Sequence, residues 1–253
     1  MRLFVIVLGC AAFFTPALGQ VAAPSGEIRD RATCREAIAV DARFARERAA
    51  QWWALGGGAE AKLCAAEALL ALGGIVSAAQ LLTEAGVEGR NLPLGDRVGA
   101  LTLAGELWLS RHQPDLARKS YEAALTVYEH ARQARIGLAR VSAYQGAYGQ
   151  AAAELSVLIA GSEKPDSEAL TLRAAAFRAV GKPELARQDA QKALDVDPKN
   201  AIAWFELGAA FIELGDANEA REAFIEAITL DPEGPVRPMA EARLQALAFT
   251  SQP

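Results

Sequence analysis

The sequence predicts an all-α chain, built as a periodic stack of helix pairs, on three observations. The stretch ALDVDPKN at 193–200 returns 34 residues later as AITLDPEG at 227–234. The composition is 52% hydrophobic but only 7% aromatic, and alanine dominates the apolar share; Ala, Leu, Glu, Arg and Gln are the residues that lose least on entering a helix. Helical periodicity is also broken at regular intervals by turn residues, with Gly181 and Gly215 one period apart. At 253 residues the chain is one large domain or two ordinary ones, long enough to bury a substantial core.

Taken in order, residues 1–19 carry Arg2, an apolar run from Leu3 to Phe14, then Pro16 and the small residues Ala17 and Gly19. This pattern predicts a cleaved export signal, with the mature terminus near Gln20 and a periplasmic or secreted protein. A retained membrane anchor is the alternative, and the run is short for the roughly 20 residues a spanning helix needs. Cleavage removes only Arg2 among charged groups and takes the formal charge from −5 to −6. An acidic balance without a Lys/Arg block argues against nucleic acid or an anionic membrane surface as partner.

Residues 20–58 read as a linker and capping helices. Thr33 and Glu36 have capping-box spacing for a short first helix, Asp41 can cap a second reaching Leu55, and the glycines at 56–58 turn the chain into a third. That arrangement brings Cys34 and Cys64 level with each other, so a disulfide is expected in an exported chain; two small buried residues are the alternative. Neither His112 nor His130 lies near the cysteines at metal-ligand spacing, and no cofactor is expected. Trp52 and Trp53 are expected to pack the cap onto the rest of the chain.

Five copies of one pattern follow. The copy at 201–234 has Trp204, Leu207-Gly208, Phe211, Gly215, Ala220, Phe224, Ala227 and Pro232, and the copy at 167–200 has Leu170, Ala174, Phe177, Gly181, Ala186, Ala190, Ala193 and Pro198. Only Arg173, where the pattern wants Leu, departs. The copy at 132–165 is weaker; that at 98–131 keeps Leu101, Ala104-Gly105, Trp108, Ala117 and Tyr121, with His112 in place of the turn glycine. A degenerate copy at 59–92 precedes it, and Pro93–Arg97 reads as an insertion. Small residues let two helices approach, bulky ones fill the flanks, and the glycines supply the turn. Residues 235–253 provide a closing helix, with Met239, Arg243, Ala246 and Leu247 at helical spacing. Over residues 59–234 the chain resembles the tetratricopeptide repeat family.

The resemblance implies a right-handed α-solenoid whose concave wall is made by the first helix of each repeat and binds a partner protein or peptide segment. The wall positions include Glu106, Arg140, Tyr144, Arg178, Phe205 and Glu206, with Glu67, Leu109, Thr171, Ile202 and Glu213 beside them. The family's peptide clamp of Lys and Asn side chains is absent. Arg140 and Arg178 are instead the expected anchors, favouring an acidic segment, with Tyr144 and Phe205 giving apolar contact. No histidine has a station for nucleophilic catalysis and GGG lacks the Lys of a phosphate loop, so no enzymatic activity is expected. A structural subunit that contacts its partners through the convex face and closing helix is the alternative function.

Overall fold

The computed structural model describes residues 27–250; the export signal expected at 1–19 lies outside them. Helices α1 (Arg31–Val40) and α2 (Ala42–Trp52) form the amino-terminal cap. A wide π-type turn over Trp53–Gly57 leads into α3 (Gly58–Ala71), followed by α4 (Ile75–Glu88), α5 (Leu94–Ser110) and α6 (Pro114–Val127). Then come α7 (Arg132–Tyr144), α8 (Tyr148–Ala160), α9 (Ser167–Ala179), α10 (Pro183–Val196), α11 (Ala201–Leu214), α12 (Ala217–Leu230) and the closing α13 (Val236–Thr250). Each helix packs chiefly on its neighbours in sequence, so the described residues form an all-helical array of hairpins stacked in series.

Alanine makes this close stacking possible. Ala66, Ala78, Ala104, Ala117, Ala174, Ala186, Ala210 and Ala220 are fully or almost fully buried between helices. Larger side chains are admitted where glycine makes room. The Tyr121 ring, buried on α6, lies between Gly105 of α5 and Gly137 of α7, and a Cβ on either glycine would fall on it. Phe224 stands in the same relation to Gly208, where an added Cβ would come within 2.9 Å of its ring.

The turn between paired helices requires a left-handed residue. Gly73, Gly146, Gly181 and Gly215 supply it with φ between 69° and 90°, and at the equivalent place His112 adopts φ 57°. A histidine there is strained relative to glycine. A hydrogen bond of 2.9 Å between its Nδ1 and the Tyr144 hydroxyl, from the next repeat, holds it.

Three expectations are corrected. The first cap is Asp30, which accepts from the Thr33 amide at 2.8 Å while the Thr33 hydroxyl reaches back, so Thr33 is the third helical residue and not the cap. The extra residues read at Pro93–Arg97 are taken up by α5, which begins at Leu94 and is longer by a turn than the other first helices. In α13 the buried stripe is Val236, Ala240 and Leu247, while Met239 and Arg243 face outward. The helix starts at Val236, whose amide donates to Asp231 at 2.9 Å. The two tryptophans also divide. Trp52 is half-buried against Gly57, whereas Trp53 is 52% exposed and lies over the Lys62 ammonium.

Cys34 and Cys64 face each other across the cap with Cα atoms 5.9 Å apart and their sulfurs paired as a disulfide. Arg31 of α1 adds ion pairs to Glu67 of α3 at 2.6 Å and Asp96 of α5 at 3.0 Å. The cap is thereby fastened to the array at several points.

Candidate functional site

The first helices of the hairpins, α5, α7, α9 and α11, stand side by side and form one wall. Direct packing is closest between α5 and α7 and between α9 and α11. At the remaining junction, between α7 and α9 over the start of α8, a cleft of about 310 Å3 opens. Its sides are short: Ala139, Ala143, Ala151, Ala175 and Ala179, with Leu155 and Leu172. Arg140 and Arg178 both line it, so two of the expected wall residues meet at one site.

Neither arginine is free. The Arg140 guanidinium donates to Glu168 of α9 at 2.8 Å. Glu168 also receives Arg132 at 2.9 Å, and Arg132 forks onto Asp166 at 2.5 and 2.8 Å. The bonded Arg132 holds the Asp166 carboxyl below its usual range, although burial opposes this. Asp166 also caps α9 by accepting from the Ala169 amide at 3.1 Å. One helix down, Arg178 pairs with Glu206 at 2.9 Å and Glu213 at 3.5 Å, both on α11. Burial works against the Arg178 charge, and the Glu206 and Glu213 carboxylates together outweigh it and keep the group protonated.

The other expected residues separate. Tyr144 is exposed at the end of α7 and is committed to His112. Phe205 is only 7% exposed, and its ring packs 5.6 Å from that of Phe224. Glu206 is buried beneath Arg178. Glu106 lies one junction away, on a second cleft of about 530 Å3 between α5 and the start of α7, where Leu94, Val98, Leu103 and Tyr128 also contribute.

Sequence reasoning missed Arg132, Asp166 and Glu168. The signal was there in part: Glu168 and Arg140 are both wall positions on consecutive first helices, where opposite charges meet. The departure at Arg173 has the same kind of answer. Its guanidinium makes a two-bonded pair with the buried Asp189 of α10, at 2.6 and 2.9 Å, and also donates to Ser156 at 3.1 Å. A charged residue in a leucine place needs a counter-charge on the helix it packs against.

Among the described residues no cluster of His, Cys, Asp or Glu could hold a metal ion, and no helix is long and apolar enough to cross a membrane.

An array of helical hairpins with a wall of first helices and small residues at its close contacts defines a repeat scaffold of the solenoid class. The family profile described as "Tetratricopeptide repeat" matches residues 102–168 and 171–235, more than half of the chain, and the chain belongs to that family. Over 65 residues it is 42% identical to the heat-shock protein cognate (HSC) co-chaperone sgt12 of Aspergillus fumigatus; this covers 26% of the chain and spans about a fifth (19%) of that relative's length. MamA (residue 41 to its end) from Desulfovibrio magneticus RS-1 is similar in structure, with TM-score 0.58 and 20% identity over 69% of this chain and 95% of that one. YrrB, described as a TPR protein with an unusual peptide-binding site, has TM-score 0.55 and 18% identity, covering 73% and 92%. A tetratricopeptide repeat protein from Parabacteroides merdae has TM-score 0.56 and 17% identity, covering 86% and 84%. These structural likenesses concern the fold.

Proposed function

We propose that this chain is a non-catalytic protein-interaction scaffold, exported to the periplasm or the cell exterior, that holds a segment of a partner protein against the wall of its first helices. The cleft between α7 and α9 carries the reading. It is a small apolar slot with polar groups at its edge, the form in which peptide side chains are usually received. The peptide-binding site attributed to YrrB lends support from a similar fold. Export rests on residues 1–19 and on the paired cysteines, since disulfides persist in oxidising compartments.

The ion pairs change what the wall asks of its occupant. An acidic segment at Arg140 has to displace Glu168, and one at Arg178 has to displace the buried Glu206, so each new contact replaces an existing one of similar strength. Shape and apolar contact at the slot therefore carry more of the binding than the two arginines do.

Filling the slot tests the reading. Ala143→Trp should abolish crosslinking of the natural partner in the periplasmic fraction while leaving helicity unchanged. Convex-side Leu116→Asp and Leu185→Asp, at exposed positions on α6 and α10, should leave crosslinking intact. The reverse result establishes the structural-subunit function in its place. Mass spectrometry of the same material should find a terminus at or near Gln20, and an intact Met1 refutes export.

A further inference from the structure

We propose that the cleft between α5 and α7 selects a cationic side chain, so that the bound segment is basic where it crosses Glu106. This rests on the groove reading above and specifies the chemistry of its ligand.

Two charged side chains, Glu106 and Arg132, line the cleft, with His130 beside them. Arg132 is directed into Asp166 and Glu168. His130 stands edge-on to Tyr128 and 3.5 Å from Glu129. Glu106 is exposed and has no ion-pair or hydrogen-bond partner among the described residues. Apart from Thr102 and Gln133, the remaining wall is largely apolar, with Leu94, Val98, Leu103 and Tyr128 its large side chains. An apolar channel with one uncompensated carboxylate matches a side chain that is an apolar stem ending in a cation, which describes Lys and Arg. The space, about 530 Å3, also admits an apolar neighbour of that residue.

A second observation falls in the same cleft. Thr102 is only 8% exposed, and its hydroxyl is buried with no partner among the described residues. Elsewhere in these helices Thr83, Ser120, Thr126, Ser156, Thr171 and Thr229 each donate to the carbonyl four residues back. Thr102 does not, and an unmet buried hydroxyl is costly to the free protein. Thr102 lines the cleft, and a rotation about its Cα–Cβ bond that turns the hydroxyl outward would let a bound donor or acceptor satisfy it.

The architecture explains why this happens at one junction. The added first turn of α5 projects Leu94 and Gly95 beyond the length of the other first helices and gives the cleft its upper wall. Further along the wall the ion pairs leave no surplus positive charge: Arg132 and Arg140 face Asp166 and Glu168, and Arg178 faces Glu206 and Glu213. Charge complementarity thus favours a basic segment, against the acidic one expected from the sequence.

The test pans a phage-displayed random dodecapeptide library on the full chain with its disulfide intact, and measures selected synthetic peptides by fluorescence anisotropy. The expected peptides carry Lys or Arg beside an apolar residue. Their affinity falls about tenfold in Glu106→Gln and several-fold in Thr102→Val, with Glu222→Gln on α12 as a control for bulk charge. Acidic or neutral selected peptides, or basic ones that bind Glu106→Gln as tightly as the parent or lose equally in Glu222→Gln, overturn the proposal. In those cases, continued loss of binding in Ala143→Trp retains the groove and removes only its charge preference. If no peptide is selected, or none responds to any wall variant, both readings fall.

Discussion

At the scale of single residues, the chain shows how a repeat tolerates a departure from its own rule. Arg173 stands where a leucine packs, and it persists because Asp189 and Ser156 meet its donors. Removing one partner strands the other in the interior, so Arg173→Leu or Asp189→Leu alone should cost on the order of 3 kcal/mol in urea denaturation. The double variant should recover most of that loss, because two apolar residues satisfy the site as the repeat pattern does; a double variant as unstable as the sum of the singles refutes this account. Tyr121 sets the opposite demand, since its ring needs two residues without side chains. Gly137→Ala should lower stability by roughly 1 to 3 kcal/mol through overpacking, seen as a reduced thermal midpoint. His112→Gly should raise that midpoint slightly, by relief of the left-handed strain, while freeing the Tyr144 hydroxyl. These residues differ in how readable they were. The histidine in a glycine place could be seen in the sequence, whereas the acid that answers Arg173 lies on another helix and needed the packing to be known.

At the scale of elements, helix starts and helix-to-helix ion pairs decide behaviour. Asp166 both caps α9 and ties it to α7 through Arg132. Its carboxyl is held below the ordinary value by Arg132, so the stabilisation is complete above the unfolded-state pKa of about 4 and is lost as pH falls through the lower folded value. The urea midpoint should therefore drop on acidification in that range, and Asp166→Asn should show a shallower pH dependence with a lower plateau near neutrality. The two arginines of the slot should respond unequally to truncation. Arg140 and Glu168 are each more than a third exposed, so Arg140→Ala should change stability by under about 1 kcal/mol. Glu206 has a side chain only 9% exposed, and Arg178→Ala strands it, which should lower the melting temperature. The pairing of helices and the turn positions were legible because glycine, proline and small residues recur with the period. The extra turn of α5, the true cap at Asp30 and the rotated stripe of α13 were not, since each depends on where a helix begins by a few residues, and local propensity distinguishes such starts poorly.

At the scale of the whole molecule, a stack in which each hairpin packs chiefly on its neighbours loses structure from its ends, and the two ends are secured differently. The carboxyl end relies on packing of α13, with Val236, Ala240 and Leu247 buried. The amino end has the Cys34–Cys64 pair, closing a separation of 30 residues, for which chain entropy predicts roughly 3 to 4 kcal/mol. Reduction should raise amide exchange in α1 to α3 selectively and leave α11 and α12 protected; uniform loosening, or two free thiols in protein from an oxidising compartment, contradicts this. The ladder of arginine–carboxylate pairs along the wall has a further, mechanical consequence. Arg140 and Arg178 each bridge successive first helices, so they act as ties along one side of a coil, and ties on one side set how tightly a coil winds. Solvent-exposed ties slacken when mobile ions screen them, whereas the Arg178–Glu206 tie, with its buried carboxylate, should hold. Ionic strength then becomes a dial on the pitch near α7 and α9: small-angle scattering in rising salt should show the molecule lengthening slightly, as a spring does when some of its coils are released.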